Sequence, residues 1–277
     1  MSENDSFERR PVVAGTFYPA HPVQLRTAVE RLLERRMDPV DAKCVIVPHA
    51  GYVYSGATAG RTFASVTLPR TLFLLCPNHT GLGAPVSCWP RGSWLTPLGA
   101  VPVDEKLASM LIETSPIVSS DTMAHTGEHS AEVELPFLQV LLGEFSFVPV
   151  CVGVQDLDRL EELGESLAKI MAGAEEKTAI VVSSDMNHYE SARTNREKDE
   201  LALDAIKALD PVRLHRAVIE NDISMCGFAC AVAGLTAAKT LGANSSEVVD
   251  YTHSGMMTGD DSQVVSYAGV RVWREEA

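Results

Sequence analysis

Lys43-Cys44-Val45-Ile46-Val47-Pro48-His49-Ala50-Gly51-Tyr52 is the stretch on which the fold is decided. A short, unbroken apolar run stopped by proline and glycine predicts a strand buried on both faces, as in a parallel sheet. His49 then falls just past the strand's carboxyl end, where open α/β sheets gather their ligands. A buried structural histidine explains one such instance. The same punctuation returns twice, however. Thr71-Leu72-Phe73-Leu74-Leu75-Cys76 runs into Pro77-Asn78-His79, and Thr178 to Ser183 runs into Ser184-Asp185-Met186-Asn187-His188. In a parallel sheet these ends share one edge, so His49, His79, Asp185 and His188 are expected to converge on one polar site.

Between and around these strands the apolar periodicity predicts helices. They are expected over 22–36, from Gly56 to Ala64, from the N-cap Asp104 to about Glu113, and from Ser130 to Leu142, where Pro136 should bend or shorten the last. Further helices are expected over 156–172, 195–209 and 211–220, and an Ala-rich one opened by Cys226-Gly227 to about Leu241. Strands are expected over Phe147 to Val152, Val248 to Tyr251 and Val264 to Val272. Strands alternating with helices give an α/β fold: a single domain over residues 10–277 with a mostly parallel central sheet and helices on both faces. Residues 1–9 read as a disordered N-terminus. Residues 82–103, with Trp89 and Trp94, read as short strands and a loop over which a substrate would enter.

Composition narrows the function classes. The 277 residues are 45% hydrophobic and 22% charged, ordinary for a globular protein, with a formal net charge of −14. That acidity disfavours nucleic acid and anionic membrane surfaces as partners. Met1 to Arg10 is polar rather than a signal peptide, and no apolar run is long enough to span a bilayer. The 6 cysteines form no disulfide framework. A soluble, cytoplasmic protein is expected, with a small-molecule or peptide ligand.

Imidazoles and a carboxylate at the mouth of a sheet suit iron, copper or zinc, and also a general base beside the metal. No phosphate-cradling glycine loop and no Gly-x-Ser-x-Gly elbow is present. A competing motif is His125-Thr126-Gly127-Glu128-His129, the His-x-x-Glu-His pattern of inverted zinc proteases. That chemistry needs both histidines on one helical face, whereas Gly127 inside the motif and a helix start at Ser130 predict a loop. Glu128 and His129 would then line the pocket.

The chain also resembles a known family, the MEMO-like proteins (AmmeMemoRadiSam system protein B in prokaryotes). The resemblance runs from about Arg10 to Trp273. It rests on Gly15-Thr16-Phe17-Tyr18-Pro19, Pro48-His49-Ala50-Gly51-Tyr52, Pro77-Asn78-His79, Glu128-His129-Ser130 with Leu135-Pro136-Phe137, Ser183-Ser184-Asp185-Met186-Asn187-His188-Tyr189, and Cys226-Gly227. It implies a fold similar to the class III (LigB-type) extradiol dioxygenases, which hold non-haem Fe(II) with two histidines and a glutamate. By that resemblance His49, His79 and Cys226 are the metal ligands, with Cys226 where the dioxygenases carry their carboxylate. His188 matches their acid/base histidine, with Asp185 beside it, and Tyr52 and Asn78 join Glu128 and His129 in the substrate pocket. Iron or copper is the implied cofactor, with zinc as the further option. Radical-SAM and AMMECR1-like proteins are the implied partners. A thiolate in place of a carboxylate is softer and oxidisable, which moves the expectation from ring cleavage towards a less defined redox role. A helix N-terminus at Cys226 would favour that thiolate.

Overall fold

The computed structural model describes residues 7–34 and 36–276. Its centre is four parallel strands in the spatial order Val40–Val47, Thr178–Ser183, Thr71–Pro77 and Ser146–Val152. Their apolar runs are buried almost without interruption, because helices cover both faces. Pro22–Leu32, Gly56–Ala64 and Ser130–Leu142 pack together on one face, and Glu105–Thr114, Leu157–Gly173 and Phe228–Thr240 pack on the other.

Antiparallel strands flank this core on both sides. Val264–Trp273 pairs antiparallel with Val40–Val47, and Ser245–His253 with Val264–Trp273. At the other side Val86–Cys88 pairs antiparallel with Ser146–Val152. Among the described residues the sheet has 10 strands. The parallel expectation holds for the core strands, and the flanks make the whole sheet mixed.

Local chemistry accounts for the helix limits. Asp104, Asp156 and Ser191 accept the Leu107, Arg159 and Thr194 amides, so the third helix begins three residues before the predicted 195. Pro22 and Pro211 occupy first-turn positions where no amide is needed. The helix Ser130–Leu142 runs through Pro136 without a break, against the expected shortening. Burial of Ser130 to Leu138 holds it in place.

Residues 1–6 of the expected N-terminal tail lie outside the described residues, but order begins before residue 10. Glu8–Arg9 pairs with Ser93 and Trp94 in a small second sheet. Arg9 is buried, its Nε donating to the His125 carbonyl and its Nη1 to Glu132 Oε2 at 2.8 Å. The Trp89–Trp94 segment is no substrate lid. Trp89 and Trp94 are buried, edge-on to His125 and to each other, with the Arg9 guanidinium over the Trp94 ring.

Candidate metal centre

The carboxyl ends of Val40–Val47 and Thr178–Ser183 lie side by side, with Ser183 in register with Val47. Past them, the Asp185 carboxylate spans the two chains: Oδ1 accepts the His49 amide at 2.9 Å and the Ala50 amide at 3.3 Å. His49 is thereby fixed at the sheet edge, almost wholly buried, with Nδ1 on Ser183 Oγ at 2.8 Å. Its Nε2 is left facing the cavity.

His79 is held by Glu128, which accepts its amide at 2.7 Å and its Nδ1 at 2.9 Å. The same carboxylate accepts the Ser130 amide and hydroxyl at 2.9 and 2.6 Å, and lies 3.5 Å from His129 Nδ1. Burial works to raise the Glu128 pKa, but the bonds from His79 and Ser130 outweigh it and hold the carboxyl at about 2. Burial works to lower the His79 pKa, and the bond to Glu128 and its charge reverse the shift to a rise. His49 and His129 are shifted down, first by burial and then by neighbouring imidazoles, with Glu128 opposing. Burial thus disfavours charge on His49 and His129, while the Glu128 carboxylate favours it on His79.

His49, His79 and His129 each bring one ring nitrogen to within 4.8 Å of the others. Ring centroids are 5.3, 5.5 and 5.0 Å apart for the pairs 49–79, 49–129 and 79–129. The donor chemistry fits a transition metal: imidazoles whose far nitrogens are anchored by oxygen acceptors are how ligating histidines are oriented. His129, expected only to line the pocket, thus belongs to the tightest donor group.

Cys226 stands at the edge of that group, its Sγ 3.4 Å from His49 Nε2 and accepting the Asp185 amide at 3.3 Å. The motif Cys226-Gly227 has a steric reason. A Cβ on Gly227 would lie 2.4 Å from the Ser183 carbonyl oxygen and 2.5 Å from Ser184 Cβ. Only glycine lets the Phe228–Thr240 helix bring Cys226 this close. The expected thiolate is not favoured without an ion, since burial and then the Asp185 charge push the Cys226 thiol up.

These groups floor a cavity of about 730 Å³ whose walls include Phe17, Tyr54, Tyr189, Val265 and Tyr267. His188 and Asp185 line it too. They do not pair, however: the His188 amide donates to Ser224 Oγ at 2.8 Å, and its buried Nδ1 has no partner among the described residues. Three expected pocket residues do not line the cavity: Glu128 is buried behind His79 and Ser130, and two others are elsewhere. Tyr52 turns into the core, its hydroxyl donating to the Val133 carbonyl at 2.8 Å, and Tyr54 takes the wall position. Asn78 shapes its own loop, bonding the Leu82 carbonyl, Thr80 and the Gly81 amide.

His125 lies apart from the centre, which removes the zinc-protease geometry. It sits in the short helix Met123–Thr126, Gly127 ends that turn, and its Nε2 bonds the Ser87 carbonyl at 3.3 Å amid the tryptophans. Only His129 of the motif reaches the cavity. Ser183, Ser130, Phe17 and Ser224 are further residues of the site. Ser183-Ser184, two hydroxyls ending an otherwise apolar strand, were the one signal for the first.

Comparison with known proteins agrees with this architecture. The crystal structure of an uncharacterized protein from Escherichia coli K12 superposes with a TM-score of 0.52 at 14% identity, covering 81% of this chain and 98% of that one, which is a likeness of fold. A MEMO1 family protein of Methanopyrus kandleri is 39% identical, with 95% of this chain and 98% of the relative covered. One from Aquifex aeolicus is 40% identical with the same coverage. The family model described as Memo-like protein matches residues 9–271. Relatives aligned nearly end to end, and a family model spanning the whole domain, mean that the chain belongs to the Memo-like protein family.

Proposed function

We propose that the chain binds one transition-metal ion among His49, His79 and His129 and acts there as an oxidoreductase on a small organic ligand. The model for that chemistry is the class III extradiol dioxygenases, whose fold the motif resemblance implies. The observation that carries the reading is the approach of three ring nitrogens to within 4.8 Å, on rings anchored from behind by Ser183 and Glu128. Cys226 is the further donor on the His49 side. Its Sγ, 3.4 Å from His49 Nε2 and outside the group of three nitrogens, would add a soft donor to an ion held there.

Imidazoles with a thiol suit iron or copper for redox work, and zinc by ligand type alone. A bound ion would supply Lewis-acid and electron-transfer chemistry. The chain's own residues supply the rest. Phe17, Tyr54, Tyr189 and Tyr267 form walls against which a flat apolar group can stack. His188 lines the cavity, and burial, which lowers its pKa, favours the neutral imidazole that can take a proton from a ligand. Asp185 holds the His49 backbone. The free state of the 6 cysteines supports a reducing, cytoplasmic setting.

A second reading is a peptide- or partner-binding module, with radical-SAM and AMMECR1-like proteins as the partners. Tyr189 and Tyr54 favour it, being 74% and 42% exposed at the cavity wall. Anaerobic loading with Fe(II), Cu or Zn and elemental analysis tests the first reading: one equivalent is expected, lost in His49→Ala and His79→Ala. Failure to take up any of the three overturns it. Metal uptake without oxygen consumption across a catechol panel leaves the binding reading.

A further inference from the structure

Ser183 Oγ is the junction of three hydrogen bonds: to the Ser130 carbonyl oxygen at 2.8 Å, Glu134 Oε1 at 2.9 Å and His49 Nδ1 at 2.8 Å. A hydroxyl donates once and accepts twice. The Ser130 carbonyl has nothing to donate, so the Ser183 hydrogen goes to it. The other two partners must both donate, which puts a proton on the Glu134 carboxyl and a proton on His49 Nδ1. Sending the hydrogen to an ionised Glu134 instead would leave two oxygens, of Ser183 and Ser130, facing at 2.8 Å with none between them.

The surroundings of Glu134 point the same way. The side chain is fully buried within the helix Ser130–Leu142, and its Oε2 has no partner among the described residues. No cation pairs with it among the described residues. An ionised carboxylate with one bare oxygen and no counter-charge is a state protein interiors do not keep. Burial pushes its pKa well up, the Ser183 bond opposes, and the nearby Asp185 adds to the rise.

We propose that Glu134 is a neutral carboxylic acid and a positioning residue, which donates to Ser183 and holds that hydroxyl in place, while Ser183, its own hydrogen given to the Ser130 carbonyl, keeps His49 as its Nδ1–H tautomer with the Nε2 lone pair turned to the cavity. What that lone pair binds rests on the metal reading above. The tautomer does not.

Glutamine supplies the same donor in the same volume, whereas leucine supplies none. The test therefore uses the metal-free, full-length protein with 15N-labelled histidine. Long-range 1H–15N NMR should show His49 protonated at Nδ1 in the wild type, in Glu134→Gln and in Glu134→Leu, where the Ser130 carbonyl still takes the Ser183 hydrogen, and a mixture of tautomers in Ser183→Ala. Infrared difference spectra should show a protonated-carboxyl band in the wild type that Glu134→Gln loses. An Nε2–H tautomer in the wild type, or no such band, overturns the proposal. Co(II) titration adds the functional arm: affinity should fall about tenfold or more in Glu134→Leu, as for loss of a ligand's supporting partner, and stay within about threefold in Glu134→Gln. Equal weakening in both would reduce Glu134 to a packing role and overturn the proposal. The expected tautomer in a protein that binds no metal would sustain it while removing the metal reading.

Discussion

Glu128 grips His79 at two points, accepting its main-chain amide on one carboxylate oxygen and its ring Nδ1 on the other. Gripping both ends of one residue fixes the ring's direction as well as its position. Glu128→Gln keeps the shape but replaces an acceptor oxygen with an NH2 group, which must then face an amide or the ring nitrogen. Metal affinity is expected to fall about 10–100-fold, as for loss of an outer partner of a ligating histidine. Stability should fall by about 1–3 kcal/mol for the buried donors left unpaired. Isothermal titration with Zn(II) and urea unfolding check the two effects separately. An unchanged affinity would mean that His79 orients without Glu128.

How far the sequence reached is visible at particular residues. Val45 to Val47 ended in His49 as read, since an apolar run between two helical layers leaves no other element for it to be. The strand nonetheless starts at Val40, because residues 40 and 41 pair with Val66 and Thr67 at a partly exposed margin where Asp41 and Lys43 break the apolar run. His49 and His79 were legible as loop residues at strand ends. His129 was hidden by a local motif whose other histidine, His125, lies in the aromatic core. The choice between Tyr52 and Tyr54 belongs to the turn after Gly51, where the Tyr52 amide bonds the Phe17 carbonyl at 2.8 Å. Glu134 left no trace, since its partner Ser183 is 49 residues away in the chain.

Arg9 and Glu132 form a fully buried ion pair that fastens the N-terminal segment to the helix beneath the site. Glu132 also accepts the Val12 and Val13 amides at 2.8 and 3.0 Å and the Tyr18 hydroxyl at 2.6 Å. That segment carries Phe17, edge-on to His129 at 4.9 Å. Arg9→Ala leaves Glu132 without its counter-charge, and removing one partner of a buried pair costs about 3–5 kcal/mol. The urea midpoint should drop accordingly. Arg9→Ala with Glu132→Gln should recover part of the loss, and a double variant as unstable as the single would show that the guanidinium's bonds to the His125 and Glu128 carbonyls matter more.

Cys226→Ser separates a thiolate ligand from a bystander. If Cys226 binds the ion, Co(II)-loaded wild type should show the intense sulfur-to-metal charge-transfer absorption of a thiolate site, and the variant should lose it. Gly227→Ala should have the same optical effect by displacement, because the added methyl meets the Ser183 carbonyl and moves the helix start away from His49. A wild-type spectrum without that absorption would assign the ion to the three imidazoles alone.

His125 is one of the buried groups that make the fold sensitive to acid. Burial first, and the Arg9 charge second, hold its pKa down at about 4, against the pull of the Ser87 carbonyl. The unfolded chain takes up this proton below about 6.5, whereas the folded protein refuses it until about pH 4. The neutral ring's stabilisation is therefore complete above pH 6.5 and lost as the pH falls towards 4, amounting to about 3 kcal/mol. His125→Phe fills the space between Trp89 and Trp94, gives up the 3.3 Å bond to Ser87, and has nothing to titrate. Urea unfolding of both proteins at pH 7.5 and 4.5 reads the difference. The wild type should lose about 2–3 kcal/mol more than the variant on acidification, and parallel losses would place the acid-sensitive group elsewhere.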